Sequence, residues 1–391
     1  MANKRKGCLS KLRIAGLFSL LLIGLVLMGV SIINLNIPTE SPLLNQLTET
    51  EQIRVAEVNH LRTTLGNEVW PGWGDENIPI LIYNEGYTFL IGMDNPEAGW
   101  IRVPYKTIEG SEWEKVFDNY PYHRQALPKS GESPQAFIVE IGGVFAASMT
   151  TKDWTQIHLM QLIKEDLPNF LKPIMPYSLF INKFNSDWHI AGILHESFHA
   201  FQAKHSYSRL KSAENLNTYH NSYPWRNAEF REIWVQERHL LAKALIKNDI
   251  HEIKPIVKEW LEVREERRSR IDSTLIYYEK QREWLEGLAK YAELKSWMLA
   301  SDQYKYTPLP EMEQDPDFNF YKGAKDHRKQ EVRQLRSDLG FSETMFYYSG
   351  WAQAELLDRL YPNWKSKALE PSIFLDELLQ EVCNPPEHSI L

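Results

Sequence analysis

The chain has 391 residues, 43% of them hydrophobic and 12% aromatic, which is ample apolar material for one large domain or two smaller ones. This composition excludes a disordered or fibrous protein. The formal net charge of -8 repels phosphate backbones, so we expect no nucleic acid as a partner. The two cysteines, Cys8 and Cys383, provide neither a disulfide framework nor a CxxC metal site, so a transition metal must be held by histidines and carboxylates.

The N-terminal segment is predicted to be a membrane anchor. Residues 14–33 carry no charge and are long enough for a helix to cross a hydrocarbon core. Five basic residues precede this stretch and none follows until Arg54, so the positive-inside rule predicts a cytoplasmic N-terminus. We therefore expect a single-pass cell-membrane protein, with tail and signal anchor in residues 1–36 and an extracytoplasmic body. The alternative is a cleaved signal peptide, whose apolar region is usually about 7–15 residues long.

Residues 37–150 are predicted to be the strand-rich part of the body. A helix over 44–65 precedes short β-branched or aromatic runs that Gly, Pro, Asn and Asp separate. Residues 84–86 and the pair Gly142-Gly143 are typical of hairpin turns, so we expect an antiparallel sheet. The predicted strands cover 79–84, 87–93, 100–105, 135–141 and 144–149.

Residues 151–391 are predicted to be mainly helical, because the spacing of apolar residues changes to a helical period near residue 155. The loop over 303–325 is rich in Pro and Asp and could border a cleft. The charged run at 262–270 alternates in sign at helical spacing and is interpreted as a solvated helix face. The predicted helices cover 156–171, 187–205, 225–247, 250–300, 342–360 and 372–382.

One helix carries a metal-binding pattern. The segment SDWHIAGILHESFHAFQAKH begins with the good N-cap residues Ser186 and Asp187 and has apolar residues at helical spacing. His195 and His199 are four residues apart, so both imidazoles leave one face of the helix, as two ligands of one tetrahedral Zn²⁺ require. Glu196 can then reach a metal-bound water as a general base. Random placement of His and Glu produces HExxH roughly 0.03 times per chain of this kind, so the match indicates a zinc site.

HESFHAFQ resembles the zinc helix of the zincin metallopeptidases, and the longer HExxHxxGxxH form of the metzincin branch is absent. The resemblance to the gluzincin branch, which includes thermolysin and the metallo-aminopeptidases, implies a third ligand from a later helix in an EGxA pattern. That pattern occurs at Glu286, where Gly287 and Ala289 allow two helices to approach closely. Two features depart from the branch: the third ligand lies far along the chain, and Lys290 replaces an acidic residue.

The third ligand has an alternative. Glu237 in VQERHLLAKAL is the rival for Glu286, and its other interpretation is an ion pair with Arg264 or Arg267. Glu293 follows Glu286 near the same helix face, where it could orient a zinc-bound imidazole through its free N–H.

The sequence contains two further motifs, one with tyrosines and one with tryptophans. YYSG at 347–350 resembles the Y-x-x-G sequence of several gluzincin peptidases, which implies that Tyr347 donates a hydrogen bond to the oxyanion. Tyr348 is the alternative donor, and packing is the other interpretation of both. WPGWG at 70–74 is interpreted as a turn packed under the sheet.

The sequence thus predicts an α+β fold with an N-terminal membrane helix, a strand-rich antiparallel half and a mainly helical, zincin-like catalytic half. The expected function is zinc-dependent hydrolysis of a peptide or protein substrate, which would pair with the strand at 144–149 as an edge strand. A zinc-binding but inactive membrane-anchored interaction domain is one alternative, and a zinc hydrolase of a non-peptide amide is another. The GxMEN motif of the metallo-aminopeptidases is absent, so exopeptidase activity is not implied.

Overall fold

The computed structural model of the chain is an α+β fold with one six-stranded sheet and a larger set of helices. The predicted basic tail at 1–13 and parts of three predicted elements, at residues 14–20 and 23, 104–105 and 135–136, lie outside the residues described. The structure describes residues 21–22, 24–103, 122–128, 137–181, 184–337 and 341–383.

The strands precede most of the helices. The strands are β1 (Ile80–Tyr83), β2 (Tyr87–Ile91), β3 (Ile101–Arg102), β4 (Tyr122–Ala126), β5 (Phe137–Ile141) and β6 (Val144–Thr150). The helices are α1 (24–35), α2 (Glu49–Val69), α3 (Lys152–Asp166), α4 (Tyr177–Ile181), α5 (Ser186–Asn215), α6 (Ala228–Leu245), α7 (Ile250–Arg268), α8 (Ser273–Arg282), α9 (Leu288–Ala300), α10 (Ala324–Gln334), α11 (Thr344–Leu360), α12 (Trp364–Ala368) and α13 (Leu375–Cys383). Two 3₁₀ turns cover Leu216–Ser222 and Pro310–Gln314, and a π-helical turn covers Glu283–Gly287 between α8 and α9.

The sheet is mixed, so the prediction of an antiparallel sheet is wrong. Its strand order is β3-β4-β2-β1-β6-β5. The predicted hairpins are present, and Gly142 and Gly143 both have positive φ in the two-residue turn between β5 and β6. β6 then pairs in parallel with β1, with Ile82 opposite Met149. Local patterns identify strands and turns, but they do not encode this pairing between distant strands.

The predicted edge strand is also wrong. β6, which contains the run 144–149, lies between β1 and β5, and β5 is the strand at that edge of the sheet. β4 was not predicted, because its sequence YHRQA lacks the apolar alternation that marks a half-buried strand.

The predicted membrane-spanning helix, and with it the single-pass localisation, is corrected by the structure. Within the part of the chain that the structure describes, no helix combines the length and apolar character needed to cross a membrane. The end of α1 is hydrogen-bonded to the body: the Asn34 side chain donates to the carbonyl oxygens of Pro173 and Met175, each at 2.8 Å.

Helix α5 carries the HExxH residues and lies against the sheet. The Asn185 side chain caps it by accepting from the amide of Trp188 at 3.0 Å, and a kink at Ser206 follows the predicted helix end at residue 205. Gly192 faces β6, where its missing side chain leaves room for Met149. The buried tryptophans of WPGWG, Trp70 and Trp73, pack edge-on against Phe198 of α5. The motif therefore supports the helix that carries the histidines.

The charged run at 262–270 is only in part a solvated face. Three of its four arginines, at 264, 267 and 268, are buried between α6, α8 and α13, while Arg270 and the glutamates at 262, 265 and 266 are exposed. Glu237 of α6 accepts from Arg264 at 2.5 Å and from Arg267 at 2.6 Å. Asp376 of α13 accepts from Arg268. The sequence shows alternating charges at helical spacing, but the carboxylates that pair with these buried arginines come from other helices.

A close contact joins the π-helical turn to helix α11. A Cβ on Gly350 would lie 2.7 Å from the Cα of Gly287, and a Cβ on Gly287 would lie 2.7 Å from the carbonyl carbon of Gly350. Real Cβ contacts are not this short, so both positions require glycine.

We expect Gly350→Ala to lower the free energy of unfolding by about 2–3 kcal/mol, because the added methyl group overpacks a backbone contact. Gly323→Ala is the control: no atom lies within 4 Å of its Cβ position, so the expected loss is below about 1 kcal/mol. Urea titration at pH 7 measures both. Equal stabilities of the two variants would contradict the contact.

The buried arginine cluster also predicts acid sensitivity. Burial acts to raise the pKa of Asp376, but Arg268 and Arg264 outweigh it and hold the pKa well below its ordinary value. The stabilisation that this carboxylate contributes is therefore fully present above about pH 4, the ordinary pKa range of the group in the unfolded chain. It is lost as the pH falls toward the pKa of the folded state.

Asp376→Asn should cost about 3–5 kcal/mol at pH 7, because it removes one of the buried carboxylates that neutralise Arg264 and Arg268. Between pH 5 and pH 3 the variant should then lose less stability than the wild type. Unfolding free energies at several pH values test this, and parallel pH profiles for the two proteins would contradict it.

Candidate metal centre

The structure brings the three predicted metal ligands together. The Nε2 atoms of His195 and His199 are 3.2 Å apart. Glu286 Oε2 lies 3.5 Å from the Nε2 atom of His195 and 3.3 Å from that of His199. All three residues are buried. The predicted convergence of one carboxylate oxygen on two imidazoles is therefore present, although 87 residues separate Glu286 from His199 in the sequence.

This donor set fits a zinc ion. Ligands about 2.0–2.1 Å from a tetrahedral centre are about 3.3–3.4 Å from one another, which is the spacing of these three atoms. Two neutral imidazoles and one carboxylate form the ligand set of several catalytic zinc sites, which leave a fourth position for water. Metal binding itself stays a prediction.

The tautomer of His199 is set by Gln202, one turn further along α5. The Gln202 amide nitrogen donates to the carbonyl oxygens of Trp284 and Leu285, at 3.0 and 3.2 Å. The amide oxygen of Gln202 therefore faces His199 Nδ1, 2.9 Å away, and accepts its hydrogen. The proton on Nδ1 leaves the Nε2 lone pair of His199 directed at Glu286 and His195.

The π-helical turn contributes to two of the candidate ligands, Glu286 and His199. It contains Glu286 itself and also Trp284 and Leu285, whose carbonyl oxygens hold Gln202. π-Helical turns inside α-helices occur mostly as single turns and frequently at functional sites.

His195 is oriented by a carboxylate. Glu293 Oε2 lies 3.1 Å from His195 Nδ1, so the predicted contact between Glu293 and an imidazole N–H is present. Burial acts to lower the pKa of His195, but the hydrogen bonds that its imidazole donates to Glu286 and Glu293 outweigh it and raise the pKa to about 10. Burial likewise opposes the ionisation of Glu293, and the charges of Lys290 and His195 still lower its pKa to about 2. The surrounding carboxylates thus favour positive charge at the His195 imidazole.

Glu286 divides its two oxygens between the imidazoles and a cation. Its Oε1 accepts from Arg282 Nη2 at 2.8 Å, while Oε2 faces the two histidines. Burial acts to raise the pKa of Glu286, but His199, His195 and Arg282 hold it well below its ordinary value. The carboxylate is therefore ionised and fixed in direction.

Glu196 is a buried carboxylate with an open acceptor. Its Oε2 atom is shielded from solvent and has no hydrogen-bond partner among the described residues. Burial raises the pKa of Glu196. An unsatisfied carboxylate oxygen is costly in a native interior, so its presence beside the imidazoles indicates a place for a donor other than the described residues.

The two tyrosines of YYSG have different surroundings. The Tyr347 ring stacks on that of His195 with centroids 6.0 Å apart and an interplanar angle of 12°, and its hydroxyl donates to Glu286. The Tyr348 hydroxyl instead bonds to Glu331. Of the two predicted oxyanion donors, the structure places only Tyr347 beside the candidate ligands.

Glu237, the rival third ligand, lies in the arginine cluster and not with the histidines. Sequence reasoning missed two further residues of the site. Gln202 follows His199 by three residues and Arg282 precedes Glu286 by four, so each lies on the same helix face as the residue that it supports. This helical spacing is the sequence signal from which both residues could have been predicted.

Gln202→Ala should weaken zinc binding by about 10- to 100-fold, because the His199 tautomer and ring orientation lose their support. Gln281→Ala is the matched control. Gln281 is also buried and hydrogen-bonded to two side chains, Arg209 and Tyr277, but it lies outside the candidate centre. Chelator competition measures zinc affinity for both variants. A similar loss in both would assign the effect to general destabilisation.

Comparison with known proteins adds no relative: no family model matches the sequence, and neither a curated protein nor a solved structure matches it. The resemblance to the zincins therefore rests on the HExxH motif, the EGxA pattern and the geometry of the residues that carry them.

Proposed function

We propose that the chain is a zinc-dependent peptidase whose metal ligands are His195, His199 and Glu286. The observation that carries this proposal is the convergence of three buried donor atoms, 3.2–3.5 Å apart, beside Glu196, whose Oε2 atom has no hydrogen-bond partner among the described residues. A bound zinc ion supplies Lewis-acid polarisation of a carbonyl group and a lowered pKa for water. The substrate class is a peptide or protein.

Glu196 is the proposed general base. It follows His195 directly on α5, and its free oxygen can accept a proton from a water molecule held at the centre. The same carboxyl group then returns the proton to the leaving amine. A structural zinc site closes its shell with four protein ligands and has no use for such a base, whereas this site offers three ligands and a base.

Tyr347 is the proposed donor to the oxygen of the substrate carbonyl. In the structure its hydroxyl donates to Glu286, and its ring is held parallel to the His195 imidazole. Burial is the main cause of its raised pKa, with Glu286 adding to it, so the hydroxyl keeps its proton at neutral pH. A neutral hydroxyl beside the ligands can stabilise developing negative charge by donating a hydrogen bond.

We expect the purified full-length chain to hold one zinc ion per molecule and His199→Ala to lose it. Glu196→Gln should keep the zinc and reduce peptidase activity by at least about 10²-fold, because the amide preserves shape but cannot accept the proton. Zinc is measured by elemental analysis, and activity with a quenched-fluorescence peptide library.

The control is Glu214→Gln, on the same helix beyond the kink, where Glu214 pairs with Lys211 at the surface. It should leave both zinc and activity unchanged. Zinc-free wild-type protein would reject the metal site, and an active Glu196→Gln variant would reject the general base.

A further inference from the structure

Lys290 is a buried lysine behind the candidate metal centre. Its Nζ atom lies between two carboxylates, 3.7 Å from Glu293 Oε1 and 3.3 Å from Glu331 Oε2. The ammonium group also lies 5.3 Å from the centre of the Tyr348 ring. A buried ammonium group is tolerated only where opposite charges surround it, and this one has two.

The pair with Glu293 connects Lys290 to a candidate ligand. Glu293 uses one oxygen, Oε1, toward Lys290 and the other, Oε2, toward His195 Nδ1. The carboxylate therefore cannot rotate away from the imidazole without leaving the lysine. The direction of Glu293 is set from both sides.

The far side of Lys290 is held as well. Glu331 of α10 accepts a hydrogen bond from the Tyr348 hydroxyl, and its Oε1 lies 3.3 Å from His327 Nε2. Glu331 is thus fixed by residues from α10 and α11, while Lys290 and Glu293 belong to α9. The chain His195–Glu293–Lys290–Glu331 joins the candidate centre to two further helices.

We propose that Lys290 is a positioning residue for the metal centre, which acts by holding Glu293 against the Nδ1 hydrogen of His195. The proposal rests on the metal site of the proposed function. Lys290 pairs with Glu293 and Glu331, so its effect on the candidate ligands passes through Glu293. It provides the fixed positive charge on the outer side of the carboxylate that orients His195.

The test compares Lys290→Met with Lys290→Arg in the full-length protein. Lys290→Met should weaken zinc binding about tenfold, the lower end of the effect of residues that support metal ligands, because Glu293 loses one of its two anchors. Lys290→Arg keeps the charge and should recover most of the affinity. The visible absorption of the Co²⁺-substituted protein should change in Lys290→Met and return toward wild type in Lys290→Arg.

Lys295→Met is the matched control, since Lys295 lies on the same helix and pairs with Asp358 at 3.0 Å, away from the centre. Its zinc affinity should equal that of the wild type. Glu331→Gln, which removes the outer partner of Lys290, should weaken zinc binding in the same direction and serves if Lys290→Met does not fold.

Wild-type zinc affinity and cobalt absorption in Lys290→Met, or in Glu331→Gln if the first variant is unfolded, would overturn the proposal. A loss that Lys290→Arg does not recover would also overturn it, because the charge would then not be the cause. Wild-type protein without zinc would instead reject the proposed function, so the two failures are distinct.

Discussion

The backbone contact between Gly287 and Gly350 determines where the third candidate ligand lies. Neither position has room for a Cβ atom, so the π-helical turn and helix α11 meet at the distance of two bare backbones. Glu286 precedes one of these glycines, and Tyr347 lies one turn before the other. The contact therefore places both side chains at the imidazoles of α5, and the spacing of the donor atoms depends on it.

The charges around the centre follow from this packing. Three carboxylates, Glu196, Glu286 and Glu293, surround the two imidazoles within the interior. Arg282 faces Glu286 and Lys290 faces Glu293, so each of two carboxylates has a cation on its outer side. The carboxylate charge that these two cations do not balance lies on the side of the imidazoles. A proton on His195 or a metal cation can balance it, and the two compete, since a metal ligand must be deprotonated.

The sequence predicted the parts of this site that have local signatures. HExxH spacing predicts two imidazoles on one helix face, and EGxA supplies both an acid and the small residues needed for a close approach. These two patterns are sufficient to identify His195, His199 and Glu286 in the sequence. Glu293 followed from its distance along the same helix. In each case a short-range rule about helix faces was sufficient.

The errors arose where the outcome depends on distant segments. The pairing of β6 with β1 is not encoded in either strand, and the edge of the sheet changes with it. The arginines at 264, 267 and 268 were predicted to be exposed, because their partners lie on other helices and are not visible in the local sequence. The apolar stretch at 14–33 met a length criterion for a membrane span, whereas none of the helices among the described residues has both the length and the apolar character of a span. The local sequence indicates which structure a segment tends to form, but its contacts with distant segments decide the structure that it adopts.

The two imidazoles are supported by different chemistry, and this difference has a consequence for the metal. His195 donates to a carboxylate, a partner that raises the basicity of a metal-binding imidazole, while His199 donates to the neutral amide of Gln202. The amide is itself held by backbone carbonyl oxygens of the π-helical turn. One irregular turn of helix thus presents Glu286 and fixes His199, so its geometry couples two candidate ligands that are far apart in the sequence. His195 depends instead on a chain of charges that ends at α10, so packing and electrostatics each hold part of the centre.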